Sequence, residues 1–301
     1  LVQGVGIDRV QSWLPRTSIG GAVEGDQLAT PQGDPTKARY YADGTQWNMR
    51  VIQADRVWAA GQQGVRSTRV AILDTGIDYD HRELKGLVDR AASRSFTSLI
   101  VSEAGYTAEV PVEPQQPGDE PYMDNHFHGT HVASTVATKS ISVAAVAPNV
   151  TLIAVKVLTA IGSGTFESVA NGIRHAAGEA NADIINMSLG AEVEPSEEGV
   201  PALLELMRRT IRAAEKQGTI VISAAGNSAL DLDAGTVVAT PCEQSTVCVS
   251  ATGPLLQQNF DQPATYTNFV ITAIHVAAPV GNATDVLCVY VTKDLIIVAC
   301  S

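Results

Sequence analysis

Short apolar runs alternate with longer amphipathic segments through most of the chain, and this alternation limits the fold more than any other feature of the sequence. Runs rich in β-branched residues predict buried strands, and apolar residues at helical spacing predict helices between them. Strands separated by helices favour a parallel sheet that helices cover on both faces. The sequence therefore predicts a three-layer α/β fold with a mostly parallel sheet. The predicted strands are 68–73, 151–158, 183–189, 219–224 and 246–251, and the predicted helices are 51–58, 166–180 and 203–217.

Composition limits the classes of partner. The chain has 301 residues and is 45% hydrophobic, so it can bury one large core in one or two domains. Its 20 Lys and Arg against 32 Asp and Glu give a formal net charge of −12, which argues against nucleic acid and anionic membranes. No apolar run reaches the roughly 18 residues that cross a bilayer. We expect a globular monomer that binds no nucleic acid and spans no membrane.

The four cysteines form two local pairs, Cys242 with Cys248 and Cys288 with Cys300. Two short disulfide-closed loops in an oxidising compartment would explain this spacing. Buried free thiols are the alternative, and metal binding is less favoured because neither pair has the CxxC spacing. The chain begins at Leu1 without a basic and then apolar segment, so we expect any export signal to have been removed or left out.

Two motifs supply a carboxylate and a histidine, one group each. The run Val-Ala-Ile-Leu-Asp-Thr-Gly at 70–76 places Asp74 at the end of a predicted strand, where it could also cap a helix or bind a cation. His-Gly-Thr-His-Val-Ala at 128–133 places His128 in the first turn of a predicted buried helix. Histidine suits a general base near neutral pH, and an aspartate on its other ring nitrogen fixes the tautomer. The alternatives for His128 are a structural residue or a metal site with His126 and His131, which lacks a nearby zincin-type glutamate.

A third motif ends in an amide. Ile-Val-Ile-Ser-Ala-Ala-Gly-Asn at 220–227 is a predicted buried strand that runs into small residues and then Asn227. A carboxamide N–H beyond such a hollow suits the stabilisation of a developing oxyanion. A turn-forming asparagine after glycine is the alternative.

In this order, Asp-Thr-Gly at 74–76, His-Gly-Thr-His-Val-Ala at 128–133 and Ala-Gly-Asn at 225–227 resemble segments of the subtilisin-like serine proteases (subtilases, peptidase S8 family). The resemblance covers roughly residues 47–281 and implies the subtilisin-like form of the three-layer fold. It implies a secreted serine endopeptidase that acts through an acyl-enzyme on polypeptide substrates and requires no cofactor. Asp74 would orient His128, His128 would move the proton, and Asn227 would bind the oxyanion.

The resemblance also implies substrate-binding segments. Two of them would bracket an extended substrate backbone as an added strand, and a third would line a primary specificity pocket that admits a large apolar residue. Ordinary turn geometry is the alternative for the glycines. The residues are Gly162, Ser163 and Gly164, then Ser188, Leu189 and Gly190, for the backbone, and Ala224, Ala225 and Gly226 for the pocket.

The sequence departs from the family at the nucleophile. No Gly-Thr-Ser-Met-Ala type segment occurs in residues 1–301, and Ser301 follows Val-Ala-Cys. We therefore expect a chain truncated before the catalytic serine and inactive by itself. The alternative is a catalytically inactive relative that binds extended peptides. A nucleotide-binding doubly wound domain is disfavoured because no GxGxxG follows the first strand.

Calcium and a prosegment are weaker expectations. The loop at 137–143 is shorter than the calcium loop of many family members, so that site is expected to be absent. Asp80, Glu83, Asp119 and Asp124 could hold calcium elsewhere, although an acidic surface is the preferred interpretation. Residues 1–45 are predicted to form an irregular N-terminal arm, and residues 95–125 are predicted to contain a surface loop. The arm could be the tail of the protein's own prosegment, with a self-cleavage junction between about residues 16 and 47. Residues 46–301 would then be a C-terminally incomplete catalytic domain.

Overall fold

Thirteen strands and six α-helices are present in the part of the chain that the computed structural model describes, namely residues 10–12, 33–97, 118–253, 261–269, 273–281, 291–292 and 295–296. The strands are β1 Val10–Ser12, β2 Arg69–Asp74, β3 Arg94–Ser95, β4 Thr151–Lys156, β5 Ser163–Thr165, β6 Ile184–Met187, β7 Ala191–Val193, β8 Ile220–Ala224, β9 Val238–Thr240, β10 Val247–Thr252, β11 Val276–Pro279, β12 Val291–Thr292 and β13 Leu295–Ile296. The helices are α1 Arg39–Ala42, α2 Trp47–Val51, α3 Ala54–Ala59, α4 His128–Val136, α5 Phe166–Ala177 and α6 Val200–Lys216.

Seven of these strands form one sheet in the order β11-β10-β8-β6-β2-β4-β3, and every neighbouring pair is parallel. The remaining strands form three antiparallel pairs, β1 with β5, β7 with β9 and β12 with β13. Parallel strands direct their carboxyl ends to one edge of the sheet. The segments that follow β2, β6 and β8 therefore meet at that edge.

Helices cover both faces of the sheet, as β2 illustrates. Ala71 and Leu73 pack into the cluster formed with α5 and α6. Val70 and Ile72 belong to a second cluster, with side chains of α4. This alternation follows from the two-residue period of a strand, and burying a side chain such as Leu73 contributes about 1.5–3 kcal/mol. The predicted three-layer α/β fold is confirmed.

All five predicted strands and two of the three predicted helices are present, with ends shifted by up to three residues. The helix predicted at 166–180 ends at Ala177, where Gly178 follows and its N–H donates to the carbonyl of Arg174. The helix predicted at 51–58 is instead two short helices, α2 and α3. They are separated at Gln53, whose φ of 58° is left-handed and cannot continue a helix.

The end of the predicted N-terminal arm is folded. Residues 35–37 form a 3₁₀ turn before α1, and the buried Tyr41 packs edge-on against Trp58 of α3. Gln46 is buried and exchanges two hydrogen bonds with the backbone of Ala144. Residues 35–46 are therefore continuous with the main domain, and the irregular conformation expected up to residue 45 does not hold there.

A disulfide joins Cys242 to Cys248 and closes the turn between β9 and β10. The structure thus bears out one of the two cysteine pairs expected from the spacing. Cys288, Cys300 and Ser301 lie outside the described residues, as does most of the predicted acidic loop, residues 98–117. Among the residues described, none of the helices is both long and apolar enough for a membrane span.

Candidate active site

Asp74 lies at the carboxyl edge of the sheet. It is the last residue of β2, which sits between β6 and β4, and it is fully buried. A buried carboxylate needs hydrogen-bond partners, and the N–H of Thr75 donates to Oδ1 at 2.7 Å. The fold therefore fixes both the depth and the orientation of this carboxylate.

His128 is the first residue of α4 and contacts Asp74 directly. Its Nδ1 lies 2.8 Å from Oδ1 and 2.9 Å from Oδ2 of Asp74. Gly129 permits this approach, because a Cβ at that position would lie 2.1 Å from the carbonyl oxygen of Gly76. The structure thus brings together the two residues selected from the first two motifs, and their catalytic roles stay a prediction.

The environment of His128 favours its charged form. Burial opposes an imidazolium, but the negative charge of Asp74 and its hydrogen bond outweigh burial and raise the pKa of His128 above 6.5. A proton held on Nδ1 by Asp74 leaves Nε2 as the ring atom that can accept another. The side chain is 24% exposed, so a hydroxyl group can approach the ring. This geometry is suited to general-base catalysis.

Asp124 connects the Asp74 segment to the start of α4. Its Oδ1 accepts hydrogen bonds from Thr75 Oγ1 at 2.8 Å and from the N–H of Phe127 at 3.0 Å. Its Oδ2 accepts from the N–H and the hydroxyl of Thr130, at 2.9 and 2.6 Å. These bonds hold the residues on either side of His128. The interpretation of Asp124 as part of an acidic surface therefore does not hold.

The charge of Asp124 is stabilised internally. Burial opposes ionisation, but hydrogen bonds from Phe127 and Thr130 and the nearby charge of Lys156 hold the pKa of Asp124 below its ordinary value. Lys156 is fully buried at the end of β4, and its Nζ donates to the carbonyl of Thr75 at 2.5 Å. In the sequence, the only signal for this arrangement was an aspartate four residues before the histidine.

Asn227 lies in an exposed turn after β8. Its side chain makes no hydrogen bond to any residue that the structure describes, so its carboxamide N–H is available to a ligand. An available amide at the carboxyl edge of the sheet is what oxyanion stabilisation requires. This role stays a prediction from the motif.

Asn268 holds the turn that carries Asn227, and sequence reasoning missed it. Its Oδ1 accepts from the N–H groups of Ser228 and Leu230 at 3.1 and 3.0 Å, and its Nδ2 donates to the carbonyl of Ala225 at 3.0 Å. Asn268 is fully buried and lies 43 residues from Ala225 in a stretch without a recognisable motif. No local signal could have linked the two segments.

The expected substrate-binding segments lie around the same edge. Ser188, Leu189 and Gly190 follow β6, and Ala224, Ala225 and Gly226 end β8 and begin the next turn, so the two segments come from adjacent parallel strands. Gly162 precedes β5, which contains Ser163 and Gly164 and is paired with β1. The roles of these residues in substrate binding stay predictions.

Two of the residues considered for metal binding, Glu83 and His131, have polar side-chain atoms that are buried in the fold. Glu83 is buried and accepts backbone hydrogen bonds from residues 141–143 at 3.1, 2.5 and 3.3 Å, so it is not a surface residue either. His131 is held neutral, because burial and the neighbouring His128 lower its pKa to about 3. Across the described parts of the chain, no group of three or more His, Cys, Asp or Glu side chains is arranged to hold a metal ion.

Comparison with known proteins identifies the family and agrees with the fold. The profile of the subtilase family, Peptidase_S8, matches residues 66–295. Subtilisin E of Bacillus subtilis (strain 168) is 33% identical over 216 residues, which are 71% of this chain and 48% of that protein. Subtilisin DY of Bacillus licheniformis is 34% identical over 184 residues, 60% of this chain and 55% of that protein. The chain belongs to the subtilase family.

Solved structures give the same fold. The epidermin leader peptide processing serine protease (EpiP) from Staphylococcus aureus superposes with a TM-score of 0.67 at 22% identity, over 82% of this chain and 59% of that one. The nisin leader peptidase NisP from Lactococcus lactis gives a TM-score of 0.64 at 24% identity, over 79% and 69%. The chain spans about half the length of the curated relatives it matches. These likenesses confirm the subtilisin-like fold.

Proposed function

We propose that this chain belongs to a serine endopeptidase that cleaves polypeptides through an acyl-enzyme. The observation that carries the proposal is the contact of His128 Nδ1 with both carboxylate oxygens of Asp74 at 2.8 and 2.9 Å. With Nδ1 held, Nε2 takes the proton of a serine hydroxyl and later returns it to the leaving amine. Asn227 and a backbone N–H stabilise the oxyanion.

The nucleophile is not assigned to any residue of this chain. None of its serines lies in a segment of the Gly-Thr-Ser-Met-Ala type. We therefore propose that residues 1–301 alone neither hydrolyse peptides nor react with a fluorophosphonate probe. Labelling of Ser301 in this chain would contradict that statement.

Hydrolysis of a fluorogenic peptide by the full gene product tests the function. Replacing His128→Ala is expected to lower kcat by about 10⁴-fold or more, because the general base is lost. Asn227→Ala is expected to lower kcat by about 10²–10³-fold, the size known for the equivalent donor of subtilisin. Asp80→Asn, on the surface, is the control and should leave kcat unchanged. Hydrolysis that survives His128→Ala would refute the mechanism.

The rival function is peptide binding without catalysis. It would be established if the full gene product bound extended peptides but neither cleaved them nor reacted with a fluorophosphonate. The pairing between β1 and β5 supports the proposal that the segment Ser163–Thr165 accepts an added strand, which both functions require. The Asp74–His128 contact favours the protease, because a peptide-binding site has no need of a buried carboxylate on an imidazole.

We infer that the N-terminal segment acts as the protein's own prosegment. Gln11 lies opposite Gly164 in the antiparallel pairing of β1 with β5, so the segment occupies the edge proposed for substrate. Gln11→Pro removes a backbone N–H and disfavours the pairing, whereas Gln11→Ala keeps it. The proline variant is expected to bind an extended peptide more tightly in fluorescence anisotropy. Equal affinities of the two variants would contradict this role.

Secretion and calcium independence are further proposals. The disulfide between Cys242 and Cys248 supports an oxidising compartment. Glu83 binds the N–H groups of residues 141–143, which supports a loop that is organised without a cation. We expect Tm to be the same, within about 2 °C, in calcium and in EGTA. A markedly higher Tm in calcium would refute the second proposal.

A further inference from the structure

A carboxylate lies beside the predicted specificity pocket, and no motif identifies it. Glu192 is in the middle of β7 and pairs with Ala239 of β9. Its neighbours Ala191 and Val193 are buried in the core under α5 and α6, whereas Glu192 is exposed. Because successive side chains of a strand point to opposite faces, the Glu192 side chain leaves the core on the other face of this ribbon. On that face lies the turn formed by Ala224, Ala225 and Gly226.

Asn268 holds the Glu192 carboxylate against this turn. Its Nδ2 donates to Glu192 Oε1 at 2.7 Å and to the carbonyl of Ala225 at 3.0 Å. A Cβ built on Gly226 would lie 3.0 Å from the same Oε1, so the carboxylate is in contact distance of the pocket backbone. The absence of a side chain at Gly226 leaves room for the Asn268 amide and the Glu192 carboxylate. Glu192 is therefore positioned by a buried residue rather than free in solution.

The surroundings of Glu192 supply acceptors but no cation. Glu192 forms no ion pair with any Lys, Arg or His of the described segments. The space beside Gly190 is bordered by two more acceptors, the carbonyl oxygens of Thr240 and Ala224, which lie 3.7 and 3.9 Å from where its Cβ would be. Neither Gly190 nor Gly226 places a side chain between these acceptors and the carboxylate. A site with a carboxylate and carbonyl oxygens is matched by a group that only donates hydrogen bonds.

We propose that Glu192 makes this pocket select a cationic side chain, arginine or lysine, as the substrate residue on the acyl side of the cleaved bond. The proposal deepens the function proposed above and rests on it for the position of the cleaved bond. It replaces the preference for a large apolar residue that the small side chains alone suggest. The apolar stem of lysine or arginine would lie along the backbone at Gly190 and Gly226 while its charged end meets Glu192.

The pocket can be tested without a nucleophile. The probes are 4-aminobenzamidine, a cationic arginine mimic, and 4-aminobenzamide, its neutral analogue of nearly the same shape, with binding to the full chain followed by fluorescence or ligand-observed NMR. We expect the unaltered chain to bind the cation at least tenfold more tightly than the amide. In Glu192→Gln, which keeps an oxygen acceptor for Asn268, we expect that preference to fall below about twofold. A tenfold change corresponds to about 1.4 kcal/mol.

Glu194→Gln is the matched control. Glu194 is exposed just after β7, so the variant removes the same charge from a nearby position outside the pocket. Its preference for the cation should equal that of the unaltered chain. The proposal is overturned if the unaltered chain binds neither probe, if it binds both equally, or if Glu194→Gln loses as much preference as Glu192→Gln.

A second measurement separates this proposal from the proposed function. The full gene product is assayed on peptides that differ only in Arg, Leu or Glu before the cleaved bond. Cleavage that favours Leu over Arg would overturn the role of Glu192 and leave the endopeptidase function standing. Selective binding of the amidine without any hydrolysis would support the role of Glu192 and overturn the endopeptidase function.

Discussion

At the scale of single residues, the pair formed by Asp74 and His128 controls the proton chemistry. Asp74→Asn removes the charge that raises the pKa of His128 and leaves burial, which lowers it. We expect the pKa of His128, followed by NMR of its ring protons in residues 1–301, to fall below 6.5 in this variant. The control is Asp80→Asn, a change on the surface that should leave the titration as it was. A pKa of His128 that stays above 6.5 in Asp74→Asn would mean that Asp74 is not the cause.

The same shift affects stability with a definite sign. Because the folded pKa of His128 is raised, its contribution to stability is full below the unfolded value of 6.5 and is lost as the pH rises through the folded pKa. Peptide hydrolysis runs in the opposite direction, because His128 must lose its proton to act as a base. The activity of the full gene product should therefore rise with pH, with a midpoint above 6.5.

His131 has the opposite effect on stability. Its pKa is lowered to about 3, and its Nε2 is buried without a hydrogen-bond partner in the described structure. As the pH falls below 6.5, His131 binds a proton in the unfolded chain but stays neutral in the folded chain. The free energy of unfolding therefore falls. In His131→Gln we expect the loss between pH 6.5 and 5, measured by urea unfolding, to be smaller by up to about 2 kcal/mol. An unchanged loss would show that another group is responsible.

At the scale of elements, the close approach of α4 to the end of β2 depends on Gly129. In Gly129→Ala the new Cβ would collide with the backbone oxygen of Gly76, which cannot rotate away. We expect unfolding free energy to fall by about 1–3 kcal/mol and the pKa of His128 to fall as the ring moves from Asp74. Circular dichroism melts and NMR titration measure the two effects.

Gly172→Ala is the control for that prediction. Its Cβ would meet methyl groups of Val157 and Val155 in the core, at 2.5 and 3.2 Å, and not the active site. A comparable loss of stability with an unchanged pKa of His128 is expected. If both variants moved this pKa equally, general loosening of the fold would explain the effect instead of the contact at Gly76.

At the scale of the whole molecule, the disulfide between Cys242 and Cys248 ties β10 to the turn that follows β9. The loop between the two cysteines is short, and closing such a loop contributes about 2 kcal/mol by restricting the unfolded chain. Replacing both with alanine is expected to lower the unfolding free energy by about that amount in oxidising buffer. The difference from the unaltered chain should shrink in dithiothreitol. Equal midpoints in oxidising buffer would contradict a stabilising role for the bond.

The layered fold and the Asp74–His128 pair were predictable from the sequence, because their signals are local. Apolar runs of the right length specify strands, and short motifs such as Asp-Thr-Gly and His-Gly-Thr-His carry the chemistry and the glycines that the turns need. The break at Gln53 and the folding of residues 35–46 were not predictable. The folding of residues 35–46 depends on contacts with distant residues, such as that of Gln46 with Ala144, and glutamine is not a residue type that marks a left-handed φ such as that of Gln53.

Sequence by itself thus determined the family, the parallel sheet and the two residues that contact each other at its edge. Only the tertiary structure decided what surrounds them. No motif marks Asp124, Asn268 or Glu192. Their roles come from hydrogen bonds to segments that are far away along the chain. The physical reason is that a buried polar group is specified by the partners that the fold brings to it, and those partners are not written next to it in the sequence.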